Sequence, residues 1–226
     1  MPSTEKKLLF SSAFFTSLAA FIVACSVLGT QAWVTSRIAM TDIASNGTTI
    51  LTYGLLTAVG SQETEAGFTF SDRSFEVLSQ LKGSALHTVH SFVILFLVLG
   101  LLCSLFSTGL TFYNSVSNPA QTFLGPSGVY ASNGLNALFI TLSMILFAVN
   151  TQINDSSVAL ARKVYPIWSY GETTHKYGYS YWLMLLVLLL DGASIWIIVA
   201  FQHLRYKKRQ EQKRPMEYAP KDGMLF

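Results

Sequence analysis

The sequence predicts an all-α membrane protein, a bundle of four transmembrane helices with a small extracellular β-sheet in its first outer loop. Only 12% of the 226 residues are charged and 51% are hydrophobic, whereas an average soluble domain is about 25% charged. The apolar residues also fall into four blocks separated by polar stretches, a pattern typical of membrane spans. Much of the protein surface is therefore expected to face lipid.

Each apolar block is about 20 residues or longer, which is enough for a helix to cross a hydrocarbon core of about 30 Å. A cleaved signal peptide is the rival interpretation of the first block. Its apolar run, however, exceeds the usual length of about 7 to 15 residues, and no clear A-x-A site follows. The blocks divide the chain into an N-terminus (1–7), four spans (8–29, 89–112, 129–149 and 179–201), two outer loops (30–88 and 150–178), one inner loop (113–128) and a tail (202–226).

Basic residues at the two ends predict the orientation. Lys6 and Lys7 precede the first span, and the segment after the fourth span has seven Lys or Arg against three Asp or Glu, a net charge of +4. Positive flanks stay in the cytoplasm, so we expect a multi-pass plasma-membrane protein with both termini cytoplasmic. The aromatic residues of the tail, Tyr206, Tyr218 and Phe226, do not alternate with basic ones in a pattern that indicates base stacking, so the tail does not indicate nucleic acid. The basic residues expected to meet anionic lipid are Arg205, Lys207, Lys208, Arg209, Lys213 and Arg214.

The first outer loop is expected to be folded, although a mobile loop is the alternative. Residues 33–40 and 48–55 are rich in β-formers and flank Asn46-Gly47, a dipeptide that favours a tight turn between strands. Phe75, Leu78 and Leu81 then recur with helical spacing, which predicts a short amphipathic helix before the second span.

Each outer loop contains one N-x-[ST] sequon, at Asn46 and at Asn154. Both lie in loops that charge asymmetry places outside, so we expect N-glycosylation at both sites. The alternative is an unmodified polar residue, and Asn154 is the closer of the two to the membrane.

Small residues four positions apart occur in the first two spans, as two pairs in span one and as a run of three in span two. Such stripes let helices approach closely, so we expect spans one and two to pack tightly or to form an oligomer contact. The residues are Ala13, Ser17, Ala20 and Ala24 in span one, and Gly100, Ser104 and Thr108 in span two.

Asp191 lies near the middle of the fourth span, where a charged group is costly. We expect it to face the bundle interior, within reach of Ser17, Thr141 or Ser143. One interpretation is a proton or cation site, which would make the protein a channel or transporter subunit. The other is a protonated acid that hydrogen-bonds between helices, and the lack of a second ionisable group in the spans favours it.

Catalytic and metal-binding patterns are absent from the sequence. His87, His90 and His175 could in principle bind zinc, but histidines in such places are more often interfacial polar groups. The H-E-x-x-H, G-x-S-x-G, P-loop and paired C-x-x-C motifs do not occur. Cys25 and Cys103 lie within spans and are interpreted as buried thiols. We therefore expect no enzyme, no cofactor and no metal.

The chain ends in Met224-Leu225-Phe226. An apolar residue two positions before an apolar terminus is compatible with strand addition to a PDZ-type groove. The simpler interpretation is an unbound tail.

The order of the parts resembles that of claudin-like tetraspans, in which the larger outer loop comes first. In those proteins a Trp soon after the first span and a Gly-Leu-Trp about twenty residues later mark an outer sheet. Trp33 and Tyr53-Gly54-Leu55 occupy similar positions here, although the claudin cysteine pair is absent. Over essentially its whole length the chain resembles the clarin family, and within it the third paralogue. The resemblance rests on residues 1–3 with Lys6-Lys7, on 28–33, on 112–114 with Gly125-Pro126, and on 216–220.

The resemblance implies a glycosylated, non-enzymatic four-span protein tied to sensory cells, sound perception and membrane–cytoskeleton organisation. The expected function is that of a structural or adaptor protein whose partners are membrane lipids, other membrane or scaffold proteins, and a second copy of the chain.

Overall fold

The computed structural model describes residues 3–41, 46–117 and 124–213. It contains four long helices whose length and composition suffice to cross a membrane, so the predicted fold class is confirmed. The long helices are α1 (Ser3–Gly29), α3 (Ala85–Val116), α4 (Gly125–Gln152) and α6 (Tyr179–Lys213), and the short ones are α2 (Val77–Leu81) and α5 (Ser156–Val164).

The four long helices form a bundle in which α1 and α4 each pack against both α3 and α6. All four extend beyond the apolar blocks of the sequence at one end or both. Because α6 continues unbroken through Lys213, the first part of the basic tail extends the fourth helix and is not a separate segment.

A five-stranded antiparallel sheet caps one end of the bundle, in the order β4-β3-β2-β1-β5. The strands are β1 (Val34–Thr41), β2 (Asn46–Tyr53), β3 (Thr57–Thr64), β4 (Thr69–Glu76) and β5 (Ser169–Tyr177). The first four come from the loop between α1 and α3, where the sequence predicts a sheet. The fifth comes from the loop between α4 and α6, so the two loops form one structure.

The prediction that Asn46-Gly47 forms the turn of the first hairpin is wrong. Asn46 pairs with Thr41 and Gly47 pairs with Met40, so both residues belong to β2. The close packing of β2 explains the glycine. A Cβ at position 47 would meet the Glu63 carbonyl oxygen and lie 2.6 Å from Met40 Cε.

The short helix before the second span is present as α2, which buries Val77 and Leu81. Phe75, which the sequence assigned to that helix, lies in β4 and packs against the core. Further along the chain, α5 lies under the inner face of the sheet, where Leu160 is fully buried. The sheet, α2, α5 and the upper ends of the long helices therefore share one hydrophobic core.

Candidate functional site

The base of the sheet is fixed to the bundle by an aromatic cluster centred on Phe147 of α4. The Phe147 ring lies 4.9 Å from the Trp33 ring and 6.0 Å from the Tyr53 ring, measured between centroids. Phe147, Trp33 and Tyr53 are almost completely buried. The Trp33 indole also donates from Nε1 to the Val27 carbonyl oxygen at 2.9 Å. Trp33, which follows the first span, and Tyr53, at the end of β2, therefore meet at one point on the third membrane-spanning helix.

Two glycines let the chain pack closely at the same level. A Cβ at Gly54 would meet the Thr30 carbonyl oxygen, and one at Gly178 would meet the Ala32 carbonyl oxygen. The segment between α1 and β1 therefore runs between the end of β2 and the start of α6. The Gly178 amide donates to the Trp33 carbonyl oxygen at 2.9 Å, which closes this junction.

A chain of buried side-chain hydrogen bonds runs beneath the sheet from β5 to α5. His175 Nδ1 lies 2.8 Å from Ser36 Oγ, and Ser36 Oγ lies 2.7 Å from Ser157 Oγ. The Tyr53 hydroxyl is 3.0 Å from Ser157 Oγ and 3.0 Å from Ser156 Oγ. Satisfied buried polar networks of this kind specify one arrangement of their elements, so the chain fixes the sheet on α5.

Burial perturbs two titrating groups of this network. Desolvation raises the pKa of Tyr53, against the opposing effect of its hydrogen bonds to Ser156, Ser157 and Thr151. Desolvation lowers the pKa of His175, against the attraction of Asp155. Both shifts favour the neutral form of the group concerned.

Asp191 faces the bundle interior, as the sequence predicts, but its partner is a different residue. Asn136 of α4 donates from Nδ2 to Asp191 Oδ2 at 2.8 Å, and both residues are buried. Thr141 is exposed and donates to the Ala137 carbonyl oxygen of its own helix, while Ser143 donates to the Val93 carbonyl oxygen. The prediction that Thr141 or Ser143 is the partner of Asp191 is therefore wrong.

Ser17, the third expected partner, belongs to a separate hydroxyl cluster. Its Oγ lies 3.2 Å from Ser194 Oγ and 3.4 Å from Ser107 Oγ, which links α1 to α6 and α3. Thr16 Oγ1 is 2.6 Å from Ser194 Oγ. The Asn136–Asp191 pair and this hydroxyl cluster are therefore separate polar contacts inside the bundle.

Several buried polar atoms near Asp191 have no hydrogen-bond partner among the described residues. They are Asp191 Oδ1, Asn136 Oδ1, both side-chain amide atoms of Asn133, and Ser104 Oγ. Asn133 and Asn136, which the sequence analysis did not single out, are fully buried on one face of α4. The sequence does contain a signal for them: two asparagines three positions apart in an apolar span predict a face that packs against neighbouring helices.

The small-residue stripes are buried within the chain. The four α1 residues and Gly100, Ser104 and Thr108 of α3 are all covered by neighbouring helices. Gly100 faces α4, where an added Cβ would lie 2.9 Å from Asn136 Oδ1. The stripes therefore serve contacts between helices of one molecule.

The remaining predicted residues have separate environments. Asn46 and Asn154 are exposed on the sheet side of the bundle, and Arg205 and Lys207 are exposed at the opposite end. Cys25 is exposed on α1 and Cys103 is half-buried, so the interpretation of both as buried thiols is wrong. The side chains of Arg209 and Lys213, and the whole of Arg214, Met224 and Phe226, lie outside the described residues.

His90 and His175 are held by separate partners. His90 Nε2 lies 2.8 Å from the Leu55 carbonyl oxygen, while His175 contacts Ser36 beneath the sheet. Within residues 3–41, 46–117 and 124–213, no three metal-ligating side chains gather at one point.

These features define a four-span membrane protein whose two loops on one side form a single sheet anchored by Trp33. Comparison with known proteins identifies the family. The family model described as Clarin-2-like matches residues 5–199, and the chain belongs to the clarin family. It is 55% identical to Clarin-3 of Homo sapiens and 50% identical to Clarin-3 of Mus musculus over 226 residues, the whole of each chain. It is 26% identical to Clarin-1 of Homo sapiens over 208 residues, which cover 86% of this chain and 89% of that one.

Proposed function

We propose that the protein is a non-enzymatic organiser of the plasma membrane that holds other proteins through lateral and extracellular contacts. The observation that carries the proposal is a rigidly anchored sheet with an exposed edge strand. Seven of the eight residues of β4 are exposed, and its only neighbour in the sheet is β3. An unpaired edge strand offers backbone donors and acceptors to another chain.

Apolar side chains lie at this same edge. Phe68 is 71% exposed and Phe70 is 53% exposed. Aromatic residues are enriched in the anchoring positions of protein interfaces. Because the aromatic cluster and the hydroxyl chain hold the sheet in place, a partner would meet a preformed surface and lose little ordering entropy on binding.

The orientation supports an extracellular position for this surface. Lys7, Arg205 and Lys207 lie at the end of the bundle opposite the sheet, and positive flanks stay in the cytoplasm. The sheet and both sequons then lie outside the cell. From its clarin relatives we further propose a role in sensory cells, including sound perception, in which the protein connects the membrane to the cytoskeleton.

A photo-crosslinking amino acid placed at Phe70 in the full-length protein tests the proposal. Ile167, which is 80% exposed but lies outside the edge strand, gives a matched control position. We expect discrete adducts, with a partner protein or a second copy, from position 70 and markedly fewer from position 167. Equal labelling at the two positions, or none at either, would reject the edge strand as the binding surface.

A channel or transporter subunit that uses Asp191 is the second candidate. It is favoured by the unpartnered oxygens of Asp191 and Asn136 inside the bundle. On this hypothesis Asp191→Asn changes ion conductance or uptake without changing surface expression. Equal conductance in cells with and without the protein would exclude it.

A further inference from the structure

A polar cleft lies on the outer face of the sheet, where β1 and β5 pair. It has a volume of about 540 Å³ and is lined by residues of both strands and by the glycine that precedes α6. Its lining residues are Thr35, Arg37, Thr174, His175, Lys176, Tyr177 and Gly178. The hydroxyl network described above occupies the opposite, inner face.

Two cations share this outer face. Thr35 pairs with Lys176 and Arg37 pairs with Thr174, so Arg37 and Lys176 are diagonal neighbours across adjacent strands. Diagonal neighbours are about 7 to 8 Å apart at the backbone, within reach of long side chains. Both are exposed, and neither forms an ion pair in the part of the chain that the structure describes. Glu172 is the nearest exposed carboxylate along β5. Two like charges this close, with no ion pair to either, still favour an anionic ligand.

The cleft opens at the membrane surface. Gly178 belongs to it and is followed directly by α6, whose first turns present exposed Tyr179 and Trp182. Exposed Tyr and Trp at the end of a span mark the headgroup level of the bilayer. The headgroup layer is about 5 to 7 Å thick, and a strand rises about 3.3 Å per residue. Along the strand, Lys176 is therefore about 7 Å from Gly178 and Arg37, which pairs with Thr174, is about 13 Å from it. The long side chains of both residues can reach back toward the headgroup layer.

We propose that Arg37 and Lys176 bind the phosphodiester of a membrane lipid headgroup in the leaflet that borders the sheet. A guanidinium can donate two parallel hydrogen bonds to phosphate oxygens, and an ammonium adds a mobile charge. The hydroxyl of Thr174 stands beside the two cations and can donate to the same group, whereas Thr35 Oγ1 already lies 3.0 Å from Thr52 Oγ1. The lipid would then fix the height and tilt of the sheet on the bilayer.

Native mass spectrometry of the full-length protein in uncharged maltoside detergent tests this assignment. The probes are phosphatidylcholine and a glucosyl diacylglycerol with the same acyl chains but no phosphate. The test variant is Arg37→Gln/Lys176→Gln, and the matched control is Lys82→Gln/Arg162→Gln, which removes two exposed cations elsewhere on the sheet side. Thermal unfolding of each variant verifies that it is folded.

We expect the wild type and the control variant to retain phosphatidylcholine, and the Arg37→Gln/Lys176→Gln variant to bind it at least about tenfold more weakly. The glucosyl lipid should bind weakly to all three proteins. Equal phosphatidylcholine binding by the test and control variants, or equal binding of the two lipids by the wild type, overturns the proposal. Displacement of the lipid by millimolar inorganic phosphate, or by a sulfated oligosaccharide, would identify a soluble anion as the ligand and reject the lipid.

Discussion

The side-chain amide of Asn136 donates a hydrogen bond to Asp191, joining α4 to α6 in the interior of the bundle. The acceptor lies in an apolar span, where a carboxyl group without a partner is costly. The neighbouring Gly100 lets α3 approach this pair closely.

Removing the hydrogen-bond donor alone should destabilise the protein more than replacing both Asn136 and Asp191. Asn136→Leu leaves Asp191 without its described partner, and we expect a loss of about 1–3 kcal/mol in the free energy of unfolding. The double variant Asn136→Leu/Asp191→Leu should recover part of that loss, because no polar group then remains unpaired. Thermal unfolding in detergent measures both. If the loss of unfolding free energy in the double variant equalled the sum of the losses in the two single variants, the two residues would not be coupled.

Gly100 should not tolerate a large side chain. Gly100→Leu places atoms where Asn136 Oδ1 and Ile140 Cγ1 already lie, and Asn136 cannot move without breaking its bond to Asp191. We expect a loss of about 1–3 kcal/mol or more. Gly109, on the exposed face of α3, has nothing within 4 Å of an added Cβ. Gly109→Leu is therefore the matched control and should be at least as stable as the wild type, since leucine favours the helix more than glycine does.

The Tyr53 hydroxyl should contribute to the docking of the sheet on α5. Tyr53→Phe keeps the ring against Phe147 but leaves the hydroxyls of Ser156 and Ser157 without that partner. We expect a cost of about 1–3 kcal/mol and faster amide exchange in β2 and α5. The exposed Tyr179, changed to Phe, serves as the control. Unchanged stability of Tyr53→Phe would mean that the hydroxyl chain is not coupled to folding.

Acidification should weaken the sheet through His175. Burial lowers its pKa in the folded state below the ordinary 6.5, so below pH 6.5 the unfolded chain takes up the proton first. The contribution of His175 to stability is therefore complete above pH 6.5 and is lost as the pH falls toward the folded pKa. His175→Gln should flatten the decline in melting temperature between pH 7 and pH 5, whereas His203→Gln, at an exposed site outside the sheet, should not. Parallel curves of melting temperature against pH for the two variants would contradict this prediction.

Glycosylation tests the proposed orientation. We expect PNGase F to increase the gel mobility of the wild-type protein, and Asn46→Gln and Asn154→Gln each to remove one glycan. Both sequons lie on the sheet side, so modification at either places that side outside the cytoplasm. If the wild type showed no shift, accessibility of a tag at Phe226 in intact cells would decide the orientation. An externally accessible tag would overturn it.

The four helices and the first hairpin were readable from the sequence because each has a strong local signal. β3, β4 and β5 were not predicted, because none of them shows an alternation of apolar and polar residues. β4 is an exposed edge strand with no buried face, and the inner residues of β5 include Thr173 and His175. The partner of β5 is also more than 120 residues away in the chain, so nothing local indicates the pairing.

The sequence predicted how deep Asp191 lies in the membrane but not which residue of α4 faces it. Asp191 was placed near the middle of its span, but depth alone could not separate Thr141 from Asn136. These two residues are five positions apart in α4, so they point in directions that differ by about 140° at 3.6 residues per turn. One therefore faces outward and the other faces Asp191.

The pairing of β1 with β5 has a consequence for biosynthesis. The ribosome releases β1 early. The strand that pairs with its second edge, β5, is made only after two further membrane helices, α3 and α4. During that interval β1 has β2 on one side and no strand on the other, a state prone to mispairing. Chains that stall or terminate before residue 169 would retain this open edge, which offers a quality-control system a simple way to tell unfinished molecules from complete ones.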